Sequence, residues 1–161
     1  MRKLIAVTLF AGLLLCVGAA QAEERAEVFG GYQFTHLEPS FNANGWNGQF
    51  TYNLSQHFGI AGDFSGAYKD GFHFYTYTGG PVVKMDLKTV KPFAHALFGG
   101  GRASFSGVSN SGMTMMFGGG FDIGHGKLAF RAAQIDWMYN HFDGVSSSKN
   151  LRMSTGLLFR F

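Results

Sequence analysis

The stretch NLRMSTGLLFRF (residues 150–161) alternates between two kinds of side chain. Successive side chains of a β-strand point to opposite faces, so a period of two separates the residues into two sets. One face carries Leu151, Met153, Thr155, Leu157, Phe159 and Phe161, and the other carries Asn150, Arg152, Ser154, Gly156, Leu158 and Arg160. The stretch therefore predicts a β-strand with one largely apolar face and one largely polar face.

The same alternation recurs through the chain upstream of this strand. Seven further candidate strands lie at about residues 26–36, 45–54, 58–67, 72–85, 90–104, 112–123 and 128–142. The second of them has the clearest pattern, with Trp46, Phe50 and Tyr52 opposite Asn47 and Gln49. No helical period follows residue 22, so the sequence predicts an all-β protein.

Two stretches interrupt the alternation. Near Ala132 and Ala133 the pattern slips by one position, so that Arg131, Gln134 and Asp136 share a face. We also expect the glycines at 99–101 to bend or bulge the fifth strand, or to make room for bulky neighbours.

The connections between these strands differ in length and composition. Residues 55–57, 86–89 and 124–127 form short turns, whereas 37–44, 105–111 and 143–149 are longer and rich in Asn, Ser and Gly; 68–71 is shorter. Up-and-down outer-membrane barrels place short turns on the periplasmic side and longer loops outside. The pattern predicts an eight-stranded antiparallel up-and-down transmembrane β-barrel, whose even strand number returns both termini to one side.

Residues 1–22 have the features of a secretory signal peptide. Arg2 and Lys3 precede an apolar run at 4–17, and residues 20–22 read A-x-A. Leu15 before Cys16 argues against a lipoprotein signal. We expect cleavage after Ala22, which removes the single cysteine and leaves residues 23–161 as an exported barrel domain without disulfides.

Cleavage also removes most of the net charge. Loss of Arg2 and Lys3 reduces the 13 basic residues to 11, against 10 acidic residues, a formal +1. No clustered basic face remains, so nucleic acid is not an expected partner.

Several runs of the sequence resemble one known family. They are VFGGYQF (28–34), GWNGQFTYNL (45–54), FGIAGDFSGAY (58–68), KPFAHALFGGGR (91–102), FGGGFDIG (117–124), RAAQIDWMYNHF (131–142) and NLRMSTGLLFRF. Together they are similar to the small outer-membrane β-barrel family, the OmpA-like transmembrane domain and OmpX-like barrels. The periplasmic peptidoglycan-binding domain of longer members has no counterpart here, so a tethering role is not implied.

The resemblance implies a location and a set of partners. We expect a monomer in the bacterial outer membrane with both termini periplasmic, bound to lipid and lipopolysaccharide on its aromatic and aliphatic face. Periplasmic chaperones and the barrel-assembly machinery are expected as transient partners, and the loops are candidate contacts for an extracellular partner. In that family the last strand is the assembly signal, which implies this role for Phe161, Phe159, Leu157 and Met153.

Charged residues recur on the polar faces of the strands. These are Glu27, Asp63, Asp122 and Asp136, against Lys84, Arg131, Arg152 and Arg160. Eight strands enclose only enough space for side chains. Because unpaired buried charges are costly, we expect an ion-paired network that fills the lumen. Arg152 and Arg160 on the last strand should reach towards Glu27 on the first.

The chain carries no recognisable catalytic, cofactor or metal motif. Its histidines are His36, His57, His73, His95, His125 and His141. They form no paired metal-binding motif, and we expect them at strand ends, in turns and in loops. The glycine clusters lack the residues of a nucleotide loop. His141 is followed by Phe142 and Asp143, without the serine that a lipid-A deacylase carries two residues on, and residues 146–148 are expected in a loop.

These features favour a structural or surface-interaction protein. The alternatives are a small outer-membrane channel or carrier for apolar solutes, a lipid-A-modifying enzyme, and a soluble lipocalin-like barrel whose apolar face surrounds a ligand. Interfacial aromatic residues favour the membrane-embedded version, namely Trp46, Tyr75, Tyr77, Trp137 and Tyr139.

Overall fold

The computed structural model describes residues 25–142 and 144–161 and contains eight β-strands. They are β1 (Ala26–Leu37), β2 (Phe41–Asn53), β3 (Phe58–Lys69), β4 (Phe72–Lys84), β5 (Val90–Phe105), β6 (Val108–Ile123), β7 (Leu128–Phe142) and β8 (Val145–Arg160). No helix within these residues is long and apolar enough to cross a membrane. The signal-peptide prediction, with Cys16 and the cleavage site, lies outside the described residues.

The strands form one closed antiparallel barrel in sequence order. Each strand pairs with its neighbours along the chain, and β1 pairs with β8 from Glu27 opposite Arg160 to His36 opposite Leu151. Backbone bonds between Ala26 and Phe161 continue this pairing to the end of the chain. The predicted eight-stranded up-and-down barrel is confirmed.

The two faces of the strands separate as the alternation predicts. Large apolar side chains point outward on every strand, as with Phe50 (50% exposed), Phe117 (40%) and Phe159 (49%). Charged side chains point inward, and Asp63 and Arg152 are fully buried. A lipocalin-like barrel requires the opposite arrangement, so that alternative is contradicted.

The predicted lengths of most connections are wrong. The three connections expected to be long contain only residues 38–40, 106–107 and 143–144, whereas those expected to be short contain 54–57, 85–89 and 124–127. The connection expected to be shorter than the other loops, at 70–71, is short. Asn, Ser and Gly at 41–44, 108–111 and 145–149 belong to paired strands that continue beyond the apolar face. These residue types suit an exposed two-stranded ribbon as well as a loop, so composition did not distinguish them.

The barrel therefore has two structurally different ends. We call the end that contains turns 54–57, 85–89 and 124–127, together with Arg25 and Phe161, the terminal end. The opposite end, formed by the four tight connections, is the hairpin end.

One of the two predicted irregularities is present. The β7–β8 register shifts between Arg131 and Gln134, which confirms the slip at Ala132 and Ala133. No bulge occurs at the glycines of β5, where pairing to β4 and β6 is continuous. Gly100 instead lies under the Tyr77 ring, since a Cβ there would be 2.5 Å from a ring carbon. The prediction that these glycines make room for a bulky neighbour is confirmed at Gly100, and the prediction of a bulge is wrong.

The outward apolar rows have the height of a bilayer core. On β8 and the residue after it the outward row runs from Leu151 to Phe161, and on β6 from Met113 to Ile123. At about 3.3 Å per residue and a strand tilt of about 40°, each row spans about 25 Å. This matches the apolar band of outer-membrane barrels, and we call it the lipid belt.

Substitution at the middle of the lipid belt tests this placement. Phe117→Arg should lower the free energy of unfolding in lipid vesicles by about 2–4 kcal/mol, whereas Val108→Arg, beyond the belt, should lower it by about 0–1 kcal/mol. Because Phe117 also contacts the rings of Phe98 and Trp137, Phe117→Ala measures the lost packing separately. Equal effects of the two arginine substitutions would contradict the placement.

Candidate functional site

The barrel interior is the candidate site, because it gathers the charged residues singled out in the sequence. All eight lie on the inner face, and all but Lys84 are buried. They separate into a central network and a terminal cluster, with an apolar layer above them at the hairpin end.

Arg152 is the centre of the central network. Its Nε donates to Asp136 Oδ2 at 2.8 Å, and its two terminal nitrogens donate to Asp63 Oδ1 and Oδ2 at 2.6 and 3.1 Å. Asn47 Nδ2 also donates to Asp63 Oδ2, at 2.9 Å. Arg152 and both carboxylates are fully buried, so one guanidinium holds two carboxylates from β3 and β7 in a dry environment.

Arg131 forms the second part of the central network. Its guanidinium makes a two-point contact with Asp122, with Nε to Oδ1 at 2.8 Å and NH2 to Oδ2 at 3.2 Å. NH1 donates to the side-chain oxygens of Gln49 and Gln134 at 2.6 and 2.7 Å. Four hydrogen bonds thus satisfy most of the donors of this buried group.

Two aromatic rings enclose the same guanidinium. Arg131 Cζ lies 4.5 Å from the centre of the Phe29 ring and 4.1 Å from that of Phe93. Cation–π attraction is strongest where water is excluded, and Arg131 is only 1% exposed. The two rings therefore stabilise the cation on the faces that make no hydrogen bond.

Gln134 joins the two parts of the network. Its Oε1 accepts from Arg131, and its Nε2 donates to Asp136 Oδ2 at 2.8 Å. The chain of contacts runs without interruption from Asp122 to Asp63. Gln49, Gln134 and Asn47 were not predicted as network members, although the alternation in the sequence places all three on the inward face.

His95 was also missed. It lies in the middle of β5, not at a strand end or in a turn, and its Nε2 is 2.6 Å from Asp136 Oδ1. The contact crosses β6 at Gly118, which pairs with both residues. A Cβ at Gly118 would lie 2.2 Å from Asp136 Oδ1, so only glycine lets the two side chains meet there.

The terminal cluster contains Glu27, Lys84, Arg160 and Asn53. Lys84 Nζ contacts Glu27 Oε2 and donates to Asn53 Oδ1 at 3.0 Å. Arg160 Nε is 3.7 Å from Glu27 Oε1, as expected when the last strand closes on the first. The same expectation is wrong for Arg152, which lies deeper in the barrel and contacts Asp63 and Asp136 instead. The cluster has a formal charge of +1 and the ionised residues of the central network have −1, so the eight charges balance.

A cavity of about 700 Å³ opens beside this cluster at the terminal end. Its rim includes His57, Lys88 and His125. Lys91 is also on the rim, and its Nζ lies 3.1 Å from Asp86 Oδ2. The hydrogen bond from Lys91 lowers the pKa of the Asp86 carboxyl below its ordinary value. The rim charges thus largely pair with one another.

Apolar side chains gather in the hairpin-end half of the interior, beside buried polar residues such as Thr35, Thr114 and Asn140. Buried side chains from several strands pack together there, including Leu37, Phe74, Leu97, Met116 and Met138. Phe41, Phe72 and Phe142 pack against them, with Phe41 and Phe72 ring centres 4.8 Å apart. We call these eight residues the apolar cap. It closes the interior at the end opposite the cavity.

A serine and histidine pair occurs on the outer surface, where sequence analysis expected none. Residues 146–148 belong to β8, not to a loop, and Ser146 Oγ lies 2.8 Å from His141 Nδ1. Tyr139 OH donates to the same oxygen at 2.9 Å. No carboxylate orients this histidine among the described residues, whereas a catalytic triad requires that third group. Within the same residues, no three potential metal ligands come together.

Solved structures of small outer-membrane barrels are similar to this chain. Neisserial surface protein A is 16% identical with a TM-score of 0.65, over 84% of this chain and 96% of that one. The N-terminal β-barrel domain of OprF from Pseudomonas aeruginosa is 12% identical with a TM-score of 0.62, over 86% and 98%. Ail, the attachment invasion locus protein of Yersinia pestis, in complex with the heparin analogue sucrose octasulfate, is 19% identical with a TM-score of 0.57, over 86% and 99%.

These similarities establish the fold, which is that of the small eight-stranded outer-membrane barrels. The resemblance seen in the sequence is confirmed at this level. No family model and no curated protein matches the chain.

Removal of single network members tests the role of the central network in stability. Asp136→Ala leaves Arg152 with Asp63, whereas Arg152→Ala leaves two buried carboxylates without their cation. We expect both to destabilise, Arg152→Ala more strongly, by up to about 3–5 kcal/mol. The double variant should lose less than the sum of the singles in reversible urea unfolding.

Lys91→Ala provides the control for these variants, because its exposed pair with Asp86 should contribute only about 0–1 kcal/mol. Additive losses for Asp136 and Arg152 would show that the two side chains do not act as a unit.

Proposed function

We propose that this chain is an integral protein of the bacterial outer membrane with a structural or surface-interaction role. In this proposal residues 1–22 direct export and are removed, and both termini of the monomeric barrel face the periplasm. Lipid and lipopolysaccharide contact the lipid belt, and chaperones and the assembly machinery bind only during biogenesis. The barrel has no catalytic role.

The observation that carries the proposal is the combination of an apolar exterior with an interior that side chains obstruct beyond the terminal cavity. The central network and the apolar cap occupy successive levels of the lumen. The lipid belt surrounds them on the outside. A protein whose interior is occupied by its own side chains presents only its outer face and its two ends to other molecules.

A channel or carrier is less well supported. A selective pore uses rings of one charge, whereas the lumen charges of this chain balance and contact one another. A carrier for apolar solutes needs an open apolar path. The apolar cap consists of side chains packed on each other.

The hairpin end supports the surface-interaction role. Three of the four hairpins, β1–β2, β5–β6 and β7–β8, continue past the lipid belt as paired ribbons closed by tight connections. Two of the similar barrels are described as a surface protein and as an attachment invasion locus protein. By analogy, the ribbons of this chain would form the part of the barrel that an external partner contacts.

Assembly is proposed to depend on the last strand. Phe161, Phe159, Leu157 and Met153 form one outward row, and the Phe161 backbone pairs with Ala26. An exposed row of this kind is available to the assembly machinery before the barrel closes.

The assembly proposal predicts that deletion of Phe161 leaves export intact and prevents integration into the outer membrane. Fractionation of cells expressing the variant measures both steps. Phe130→Ala is the matched control, since Phe130 is an outward phenylalanine near the same rim and should integrate normally. Normal membrane levels of the deletion variant would count against the proposal.

The closed lumen predicts that the purified barrel is nearly silent in planar lipid bilayers. The expected record shows only rare openings, because the central network and apolar cap both obstruct the path. Steady, ion-selective conductance would overturn the closed-lumen proposal and favour a channel.

A further inference from the structure

Outward rows on four strands change from apolar to basic residues at the hairpin end. On β1 Phe34 is followed by His36, and on β7 Tyr139 is followed by His141. On β4, which runs in the opposite direction, Tyr75 is preceded by His73. On β5 the outward positions are Phe98, Gly100 and then Arg102. We call His36, His73, Arg102 and His141 the basic rim.

Negative charge is absent from the same surface in the part of the chain that the structure describes. The acidic residues within the strands are Glu27, Asp63, Asp122 and Asp136, and all of them are buried in the lumen. Glu38 and Asp70 lie in connections at the hairpin end, beyond the outward rows. The outward face therefore offers basic groups to an anion without a competing carboxylate.

Aromatic residues place the basic rim at the depth of lipid headgroups. Trp46 Nε1 donates to Tyr68 OH at 3.0 Å, and the Tyr68 ring packs edge-on against Tyr75, with centres 5.7 Å apart. Tyrosine and tryptophan with polar tips concentrate where the apolar core meets the headgroups. His73 packs against Tyr68 at 5.4 Å, and Arg102 is the cross-strand partner of Tyr75.

Each ring of the rim has a neutral partner. His36 Nδ1 is 2.5 Å from the side-chain oxygen of Asn42. Because an amide oxygen only accepts, Nδ1 is the donor, and Nε2 is left for another contact. His141 Nδ1 contacts Ser146, which also bonds Tyr139. The titratable groups beside the rings are Tyr68 and Tyr139. Beyond His36, Lys149 of β8 and Glu38 face each other, with Nζ 3.9 Å from Oε1. No carboxylate among the described residues is a partner of these rings, so protonation adds uncompensated positive charge.

We propose that the basic rim binds the phosphate groups of membrane lipids, and that it binds them more strongly when its histidines are protonated. Neutral Nε2 of a ring such as His36 accepts hydrogen bonds, whereas the protonated ring donates from both nitrogens. Histidine changes charge between about pH 5 and pH 8. Arg102 supplies a charge that does not change in this range. The inference rests on the proposed membrane-embedded barrel, and it adds a specific ligand class to one end of it.

The test compares the purified barrel in vesicles of phosphatidylcholine alone and of phosphatidylcholine with an equal part of phosphatidylglycerol. Urea unfolding is measured at about pH 5.5 and about pH 8, on either side of the histidine range. The variant H36Q/H141Q removes two rim histidines. The matched control H57Q/H125Q removes two histidines that line the terminal cavity.

The anionic lipid should raise the folding equilibrium constant of the unmodified barrel more at the lower pH, by about fivefold for each rim histidine that gains a proton near the surface. H36Q/H141Q should lose most of this gain, and H57Q/H125Q should keep it. The control also accounts for histidines that gain charge in the unfolded chain.

Three results would overturn the proposal. H36Q/H141Q could keep the full rise in the folding equilibrium constant, or both double variants could lose it equally. Inorganic phosphate added to phosphatidylcholine vesicles could also raise the folding equilibrium constant as much as the anionic lipid does. The last result would identify a site for free phosphate and not for lipid. If the barrel conducts ions but anionic lipid still raises its folding equilibrium constant more at the lower pH, the closed-lumen proposal is refuted and the lipid-binding proposal is not.

Discussion

Closure of β8 on β1 is the constraint on which the rest of this structure depends. Inside a bilayer no water is present to satisfy backbone N–H and C=O groups, so a spanning sheet must have no free edge. The pairing from Glu27 opposite Arg160 to His36 opposite Leu151 removes the last edge. Once the sheet is closed, each strand has one face towards lipid and one towards a narrow interior. This division determines which positions of a strand carry apolar residues and which carry the charged ones.

The interior of the closed sheet is occupied in three layers with different chemistry. The apolar cap packs in the hairpin-end half beside hydrogen-bonded residues such as Thr114 and Asn140, and the central network fills the middle with paired charges. The terminal cluster borders a cavity of about 700 Å³. Buried ion pairs stabilise less than their number suggests, because desolvation offsets much of the attraction. The central network compensates through many hydrogen bonds and the two rings around Arg131.

Period-two alternation was sufficient to predict the fold and the facing of each strand. It succeeded even at Ala132 and Ala133, where the inward positions of Arg131 and Gln134 already indicated a shift. It failed at the hairpin end, because an exposed ribbon and a loop have the same composition. Ser146 was therefore predicted in a loop, although its register opposite His141 fixes it in β8.

The interior partners were only partly predictable. The alternation of inward and outward positions predicted that eight charged residues face the lumen. Which acidic residue contacts which basic residue, however, depends on the order of the strands around the barrel and on their tilt. Arg152 contacts Asp63 across the interior, 89 positions away in sequence, and no local pattern encodes that pair. His95 was missed for a related reason. Its contact with Asp136 depends on the absence of a side chain at Gly118, which lies on a third strand.

The central network also distinguishes between strand registers that the lipid belt cannot distinguish. A slip of β8 by two residues against its neighbours keeps every side chain on its own face, so the apolar and polar pattern is preserved. Such a slip moves Ser154 or Asn150 into the place of Arg152. Asp63 and Asp136 would then be buried without their shared cation. The arginine at this position thus gives the closing step a single energetically acceptable alignment among several that hydrophobicity alone would permit.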